Sequence, residues 1–592
     1  MKPVGTISLA FALAVTIGVT ASFAAGTVVV NPSGLHFGSQ KNGASGDLVS
    51  VTPPQKITVT FDGAPAAWTV TATDPWIHID RPSAPGTGTF TVSIVNPNNV
   101  IGSRVLLVSY LHLTANGAPN SPIDVQVTLT VDQMEGEPDP PFGQVDTPAQ
   151  NAQGLQGAVG ISGWAVDNIG VSSVKVYRAC FSFDNPSSCQ SMDGASLVFV
   201  ADAVFVDGAR PDVESQYPGY PQGYRAGWGV QLLSNMLPHL PNSQLYGGVG
   251  TLSLFVYATD LEGQRVLLGR TTTDHTPTTI ALANDTIAKP FGTLDTPGQG
   301  QTVAGTIANF GWAITPDANT TADGSDIVIP TNGSTISVFI DGVAIGQATY
   351  NQCRGTVGTP PPAGVYCDDD VANIFGNASP AAPLTTRSGN PTKFRNLDAG
   401  RGPQAFAVLD TTVVADGMHT LAWSVTDSNG RVEGIGSRFF IVFNGDSSRA
   451  TKVTAAAPAS ASPVTADSTA TATTTTDRAT KPGRVTPQRA PGSVAVRKGF
   501  DLASGFKDLP SEGKGTRSIS VSSGDRVELS FADGVTAVAL MVNDQNRSLP
   551  VGATLDSARG TFAWMPPSGY FGTYRFVFTT ASGSVAVDIT VK

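Results

Sequence analysis

An all-β fold is predicted for this chain, as a string of β-sandwich domains with a disordered linker. The 592 residues include 64 Gly and 42 Pro, which favour many turns between short strands. Only 14% of the residues are charged, against about 25% in an average soluble domain, which argues against coiled coils and helical bundles. The apolar fraction of 41% is large enough for several cores. Short runs such as 57–61 and 125–131 alternate apolar and polar residues with the period of a half-buried strand.

The first 25 residues have the composition of a secretion signal peptide. An apolar run at 4–21 is followed by Ser22 and Ala24, small residues suited to the −3 and −1 positions of a cleavage site. An uncleaved membrane anchor is the alternative, because the run approaches spanning length. No later apolar run is that long. We therefore expect a mature chain without a transmembrane span, located outside the cytoplasm as a secreted, cell-surface or periplasmic protein.

Four cysteines form two local pairs, Cys180 with Cys189 and Cys353 with Cys367. In an oxidising compartment, two close pairs predict two disulfides. A metal site is the alternative, but it needs further ligands at regular spacing, and the six histidines are scattered singly.

Residues 27–133 are predicted to form one β-sandwich. The segments "VNPSGLHF", "WTVTATDPWIHID" and "GTGTFTVSIVN" resemble the BACON module, a bacterial immunoglobulin-like sandwich often found beside carbohydrate-active domains. The resemblance implies a glycan-linked role, and a rigid spacer is the alternative. Trp68 and Trp76 lie within strand-like runs, so we interpret them as core residues rather than as sugar-binding platforms.

An internal repeat follows, with one copy at 139–280 and a second at 288–445. "PFGQVDTP" at 141–148 recurs as "PFGTLDTP" at 290–297, "GWAV" recurs as "GWAI", and "VYATDLEG" recurs as "SVTDSNG". Shared motifs in the same order indicate tandem copies. The motifs resemble bacterial immunoglobulin-like modules of large secreted and surface proteins, which implies scaffolding or adhesion and no particular chemistry.

The composition changes at 446–498, where Ala, Thr, Ser and Pro predominate. Such a segment cannot bury enough apolar surface to fold, so a disordered linker is predicted. The last module, 499–592, is again predicted to be β. Its "LPVGATLD", "GTFAW" and "GTYRF" segments resemble the cadherin-like immunoglobulin repeats of bacterial surface proteins.

No catalytic, cofactor-binding or metal-binding motif is evident, so we expect neither an enzyme nor a cofactor. The sequence contains no nucleophile elbow, zinc-protease motif, phosphate-binding loop or EF-hand. The carboxylates at 368–370 could seat calcium, but we interpret them as a solvated loop. The net charge of −11 argues against nucleic acid as a partner.

One loop of the first copy, "QYPGYPQGYRAGW", carries Tyr217, Tyr220, Tyr224 and Trp228. Aromatic rings with a polar edge suit contacts with sugars or proteins, and packing on the loop's own sandwich is the alternative. We therefore expect a non-catalytic binding protein that acts in cell-surface adhesion or glycan attachment, with glycans or extracellular proteins as partners. The alternatives are a passive spacer or envelope scaffold, and an unrecognised hydrolase of extracellular polymers.

Overall fold

A computed structural model describes most of the chain. The described residues are 25–43, 46–98, 100, 102–133, 139–317, 325–354, 360–367, 369–376, 394–445, 490–512, 515–543 and 545–592. The predicted signal peptide therefore lies almost entirely outside the described residues. The chain divides into two compact units. Unit 1 comprises residues 1–35, 53–100 and 106–128, and unit 2 comprises residues 36–52, 101–105 and 129–592.

The N-terminal module consists of short strands, as the alternating sequence runs predict. Its strands are β1 Thr27–Asn31, β2 Gly34–Lys41, β3 Leu48–Val51, β4 Gln55–Asp62, β5 Trp68–Ala72, β6 Ile77–Ile79, β7 Ser83–Ala84, β8 Gly88–Ile94, β9 Arg104–Ala115 and β10 Ile123–Gln133. Within unit 1, β1-β4-β8-β6 form one sheet, and β9, β5 and β7 lie side by side in another. Trp68 is buried 5.6 Å from Phe90, and Trp76 is also buried. The interpretation of both tryptophans as core residues is confirmed.

The first repeat is a two-sheet sandwich. Its strands are β11 Phe142–Thr147, β12 Ala152–Leu155, β13 Ala158–Val166, β14 Val171–Ala179, β15 Cys189–Met192, β16 Ala195–Asp202, β17 Val204–Phe205, β18 Gly227–Leu233, β19 Val249–Asp260, β20 Arg265–Leu268 and β21 Thr278–Ala283. Helix α1 is Pro211–Gln216, and 3-10 turns occupy Pro186–Ser188, Gly223–Arg225, Ser234–Met236, Leu240–Asn242 and Asn284–Thr286. One sheet has the order β11-β13-β18-β17. The other has the order β12-β21-β19-β14-β16-β15, with β20 beside β19.

The second repeat has the same arrangement, which its sequence motifs predict. Its strands are β22 Phe291–Leu294, β23 Thr302–Val303, β24 Thr306–Ile314, β25 Ile336–Ile340, β26 Val343–Gln347, β27 Thr349–Gln352, β28 Gln404–Asp410, β29 Gly417–Thr426 and β30 Val432–Val442. Helix α2 is Asp370–Phe375, and 3-10 turns occupy Arg395–Leu397 and Thr411–Val413. The four-stranded sheet β22-β24-β28-β27 matches β11-β13-β18-β17 of the first repeat strand for strand. The five-stranded sheet β23-β30-β29-β25-β26 keeps the order of β12-β21-β19-β14-β16 but has no separate counterpart of β15 and β20.

The C-terminal module is a third sandwich of this type. Its strands are β31 Val494–Lys498, β32 Lys507–Leu509, β33 Arg517–Val521, β34 Val527–Phe531, β35 Ala537–Val542, β36 Gln545–Arg547, β37 Ala553–Asp556, β38 Thr561–Trp564, β39 Gly572–Thr580 and β40 Gly583–Val591. In all three modules an early strand pairs in parallel with the last strand, as β12 with β21, β23 with β30 and β33 with β40. The chain is thus a string of immunoglobulin-like β-sandwiches.

The Gly-Trp-Ala motif of the repeats has a packing role that explains its glycine. A Cβ atom on Gly163 would lie 2.5 Å from the ring of Trp228 and 2.1 Å from the backbone oxygen of Gln144. In the second repeat, a Cβ on Gly311 would lie 2.9 Å from the ring of Trp423. Only glycine leaves room for the buried indole in each core.

The predicted linker ends too late in the sequence. Residues 446–489 lie outside the described residues, but β31 (Val494–Lys498) pairs with β34 from Val494↔Phe531 to Lys498↔Val527. Val494 is buried, and Arg497 forms an ion pair of 2.6 Å with Glu528. Arg497 and Lys498 continue the basic composition of the predicted linker, so the sequence gives no boundary before them. In the structure, Arg497 pairs with Glu528 of the neighbouring strand, and the segment belongs to the sandwich.

Both predicted disulfides are confirmed. Cys180 is bonded to Cys189, and Cys353 to Cys367, so each repeat has its own local cross-link. No helix among the described residues is long and apolar enough to cross a membrane.

The C-terminal module packs against both repeats within unit 2. Val206 and Ala209 of the first repeat belong to the same buried cluster as Trp564 and Tyr570 of the C-terminal module. Towards the second repeat, Phe339 contacts Phe500, with ring centroids 5.4 Å apart. Thr554 donates a hydrogen bond of 3.1 Å to the backbone oxygen of Asp341, and Arg526 donates to that of Gly342.

Candidate binding surface

The aromatic loop of the first repeat leaves β17 after Phe205 and returns at β18. A buried arginine holds its base. The Arg210 guanidinium donates to Asp212 at 2.6 Å and also pairs with Asp146. Burial raises the pKa of Asp146, and the charge of Arg210 opposes that rise. Because a buried charge without its partner is costly, this pair anchors the loop to β11.

Tyr217 and Tyr220 pack on the first repeat itself. Each ring lies 5.2 Å from the ring of Phe142, edge to face, and Tyr217 also lies 5.3 Å from Trp164. Both tyrosines are half-buried. The loop is therefore a fixed part of the sandwich end, and only the outer edges of these two rings face solvent.

Trp228 was predicted as a surface contact, and that prediction is wrong. It lies on β18 with 0% of its surface exposed, packed in the core cluster of the first repeat. Tyr224 is also half-buried, and burial raises its pKa. Trp228 belongs to the alternating run of a core strand, which the neighbouring Pro and Gly residues of the loop obscure in the sequence.

The described part of unit 1 carries a different exposed surface, on strand β9. Leu106 is 61% exposed, Val108 48% and Tyr110 41%. These residues are two positions apart and therefore point to the same side of the sheet, opposite the buried Leu111 and Leu113. Three neighbouring apolar side chains on an open sheet face mark a candidate contact surface.

Polar side chains border this stripe. His112 Nδ1 lies 2.6 Å from Asp124 Oδ1, and its Nε2 lies 3.0 Å from Thr73 Oγ1. Gln126 Nε2 donates to the hydroxyl of Tyr110 at 3.4 Å. We call the set of Leu106, Val108, Tyr110, His112, Asp124 and Gln126 the β9 face. Its apolar end and its hydrogen-bonded polar end together resemble the make-up of protein contact surfaces.

The sequence contains a signal for the β9 face that composition arguments miss. A strand with one solvated side should alternate apolar and polar residues. "RVLLVSYLHL" instead carries apolar residues in both phases, which indicates an exposed apolar face on one of the two sides. The structure shows that it is the side of Leu106, Val108 and Tyr110.

A cleft of about 480 Å³ lies where the three modules of unit 2 meet. Its lining includes Gln231, Phe291 and Phe500. The charged side chains Lys289 and Glu433 at this cleft are paired with each other at 2.7 Å.

The carboxylates at 369–370, considered above as calcium ligands, have partners within the protein. Asp369 Oδ1 accepts from the Ala372 backbone at the start of α2, and Asp370 pairs with Arg354 at 2.7 Å. Asp368 lies outside the described residues. A different carboxylate group, Asp167, Asp260 and Glu262, brings one oxygen from each residue within 4.8 Å of the others.

The chain matches no protein-family model and no curated protein. Three solved structures to which it is similar align with TM-scores below 0.2. A Bacteroides ovatus GH5 xyloglucanase in complex with a heptasaccharide aligns at 10% identity and TM-score 0.14, over 22% of this chain and 27% of that one. Clostridium thermocellum CbhA fibronectin(III)-like modules align at 12% identity with a TM-score of 0.14, over 51% of this chain and 95% of that one. The insect immune protein hemolin aligns at 9% identity with a TM-score of 0.17, over 94% of this chain and 97% of that one. At these scores the alignments assign no function.

Proposed function

We propose that this protein is an extracellular, non-catalytic attachment protein that binds a partner protein through the β9 face. The observation that carries the proposal is the run of three exposed apolar side chains, Leu106, Val108 and Tyr110, on one side of β9. Soluble proteins seldom leave such a stripe open on a regular sheet unless another surface covers it.

The chemistry of the stripe favours a protein over a glycan. Sugars stack on flat aromatic rings, whereas Leu106 and Val108 offer branched aliphatic groups. Burying one such side chain stabilises a contact by about 1.5–3 kcal/mol. The side chain of Asp124, 59% exposed, borders the stripe. A partner with an apolar ridge and an adjacent lysine or arginine would complement both features.

Export from the cytoplasm is part of the proposal. It is supported by the signal-like N-terminus and by the two local disulfides, which persist mainly in oxidising compartments. The sequence motifs of hydrolases are absent, which supports attachment without turnover.

The test compares two triple variants of the full mature chain. Leu106→Thr, Val108→Thr and Tyr110→Thr combined remove the stripe but keep β propensity. The matched control combines Leu245→Thr, Tyr246→Thr and Val413→Thr, which are 41%, 41% and 56% exposed in unit 2. Both are measured by biolayer interferometry against panels of extracellular proteins and glycans. We expect the β9 variant to lose affinity about 100-fold and the control to bind like wild type.

Glycan attachment is the second candidate, supported by the half-exposed edges of Tyr217 and Tyr220. It would replace the protein-binding proposal if the full chain bound only glycans in the same panels and the β9 variant bound them undiminished. If the wild type bound nothing in either panel, the passive-spacer alternative would replace both.

A further inference from the structure

We propose that the first repeat binds one calcium ion through Asp167, Asp260 and Glu262, independently of the β9 face. Asp167 follows β13, and Asp260 ends β19 with Glu262 in the turn beyond it. One oxygen from each carboxylate lies within 4.8 Å of the other two. Ligands at the 2.3–2.6 Å typical of calcium lie at most about 5 Å apart, so one ion can contact all three.

Each aspartate already uses one oxygen to hold its own loop. Asp167 Oδ2 accepts from the backbone nitrogens of Ile169 and Gly170, both at 2.8 Å. Asp260 Oδ1 accepts from the backbone nitrogens of Glu262 and Gln264 at 2.9 and 2.8 Å. Both carboxylates are thereby fixed in position before any ion arrives, which lowers the entropic cost of binding.

The remaining oxygens point to a missing partner. Asp167 is 1% exposed and Asp260 2% exposed. Asp167 Oδ1, Asp260 Oδ2 and Glu262 Oε2 are buried and make no hydrogen bond. Buried carboxylate oxygens are normally paired, and three unpaired ones in one place leave a strong negative field.

The charges of the surroundings add to that field. The charges of Asp132 and Asp139 act on Glu262 together with those of Asp167 and Asp260. A divalent cation would offset this accumulation of like charge, and hard oxygen ligands without nitrogen or sulfur favour calcium.

The second repeat shows what occupies the equivalent position there. By the shared Gly-Trp-Ala and Thr-Asp-x-x-Gly motifs, Asp167, Asp260, Glu262 and Gln264 correspond to Thr315, Asp427, Asn429 and Arg431. The turn is the same, because Asp427 Oδ1 accepts from the backbone nitrogens of Asn429 and Arg431, both at 3.0 Å.

A built-in cation fills this position in the second repeat. The Arg431 guanidinium lies 2.7 Å from Asp427 Oδ2 and 3.1 Å from Thr315 Oγ1. In the first repeat the arginine is replaced by Gln264, and the two neutral residues become Asp167 and Glu262. The exchange removes one positive charge and adds two negative ones, which is the change that a calcium site needs.

The experiment uses the full mature chain in two forms of calorimetry. Isothermal titration with CaCl₂ should show one site per chain, with affinity in the ~0.1–1 mM range of extracellular modules. Differential scanning calorimetry should show a higher melting temperature in about 5 mM CaCl₂ than in EDTA. MgCl₂ at the same concentration should raise it less, because magnesium demands closer octahedral ligands.

Two variants test the residues. Glu262→Gln removes one negative charge from the ligand set without touching the turn and should weaken calcium binding at least about tenfold. Gln264→Arg copies Arg431 into the first repeat and should abolish calcium binding, with a melting temperature equal in CaCl₂ and EDTA. The control Glu512→Gln alters an exposed carboxylate of the C-terminal module and should bind calcium like wild type.

A wild-type chain with no calcium heat and the same melting temperature in CaCl₂ and EDTA would overturn the proposal. Binding by Glu262→Gln and Gln264→Arg equal to wild type would place the ion elsewhere and overturn it equally. Equal stabilisation by MgCl₂ and CaCl₂ would overturn the assignment to calcium.

Discussion

The phenolic hydroxyl of Tyr574 in the C-terminal module donates a hydrogen bond of 2.5 Å to the backbone oxygen of Ala209 in the first repeat. The two residues are 365 positions apart in the sequence, and both are buried. The same hydroxyl accepts from the Phe571 backbone at 3.0 Å. This contact joins modules that the sequence separates by an entire repeat and the predicted linker.

Replacing Tyr574 with Phe should lower the free energy of unfolding of the C-terminal module by about 1–3 kcal/mol, because the buried Ala209 backbone oxygen and the partly buried Phe571 backbone nitrogen lose their partner. Chemical denaturation followed by tryptophan fluorescence measures this, since Trp564 lies 5.3 Å from Tyr574. Tyr246→Phe, at an exposed position, is the control and should leave stability unchanged. A Tyr574→Phe variant as stable as the control would show that the contact does not stabilise the fold.

Proteolytic cleavage within 446–489 should leave the C-terminal module attached to the repeats. Val206 and Ala209 share its buried core, and Arg526 donates to the second repeat at Gly342. Size-exclusion chromatography after limited proteolysis should show both fragments in one peak, which separates only under denaturing conditions. Elution of a free fragment of about 100 residues under native conditions would contradict this packing.

The double substitution Tyr220→Ala and Tyr224→Ala should destabilise the first repeat. Tyr220 packs edge to face on Phe142, and the Tyr224 side chain is removed from water, since burial raises its pKa. Losing two packed rings should cost about 2–4 kcal/mol in total, which thermal unfolding detects as a fall of several degrees. An unchanged melting temperature would instead mark both rings as free surface groups.

The free energy of unfolding should depend on pH through the protonation of His419. His419 Nδ1 lies 2.5 Å from Asp341 Oδ2, and Nε2 lies 2.7 Å from the Ala415 backbone oxygen. Both partners only accept hydrogen bonds, so the doubly protonated ring satisfies both. Burial lowers the pKa of His419, but the hydrogen bond and charge of Asp341 outweigh it and raise the pKa above its usual value.

When the pKa of a histidine is higher in the folded state than in the unfolded state, its protonation stabilises the fold. This stabilisation is complete below the unfolded-state pKa of about 6.5 and is lost as the pH rises through the folded-state pKa. The difference in unfolding free energy between wild type and His419→Gln should therefore shrink as the pH rises above about 6.5. Denaturant titrations across this range measure it. A difference that stays constant or grows with pH would show that His419 is not held protonated.

Much of the fold follows from local sequence patterns. The alternation in 125–131 specifies a strand with one buried side, and Cys180 and Cys189 are near enough in sequence to predict their own bond. Gly163 and Gly311 recur in the same motif because each faces an indole ring. These features depend on neighbouring residues or on a repeat visible within the chain.

The remaining features depend on contacts between distant residues. Asp167 and Asp260 lie close together only because β13 and β19, which belong to different sheets, finish at the same end of the sandwich. Trp228 looks like a loop residue until β18 pairs with β13 along Gly163↔Trp228. Leu106 and Val108 signal an exposed face only when the register of β9 is known. No local pattern specifies which phase of such a strand is buried.

The most direct test of attachment through the β9 face is hydroxyl-radical footprinting of the full chain, free and bound to the partner identified by the binding panels. Side-chain oxidation of Leu106, Val108 and Tyr110 should fall at least about fivefold on binding, since a contact core excludes water. Leu245 and Tyr246, each 41% exposed in unit 2, should be oxidised to the same extent in both states. Protection at Tyr217 and Tyr220 with the β9 face still oxidised would contradict the account and move the contact surface to the first repeat.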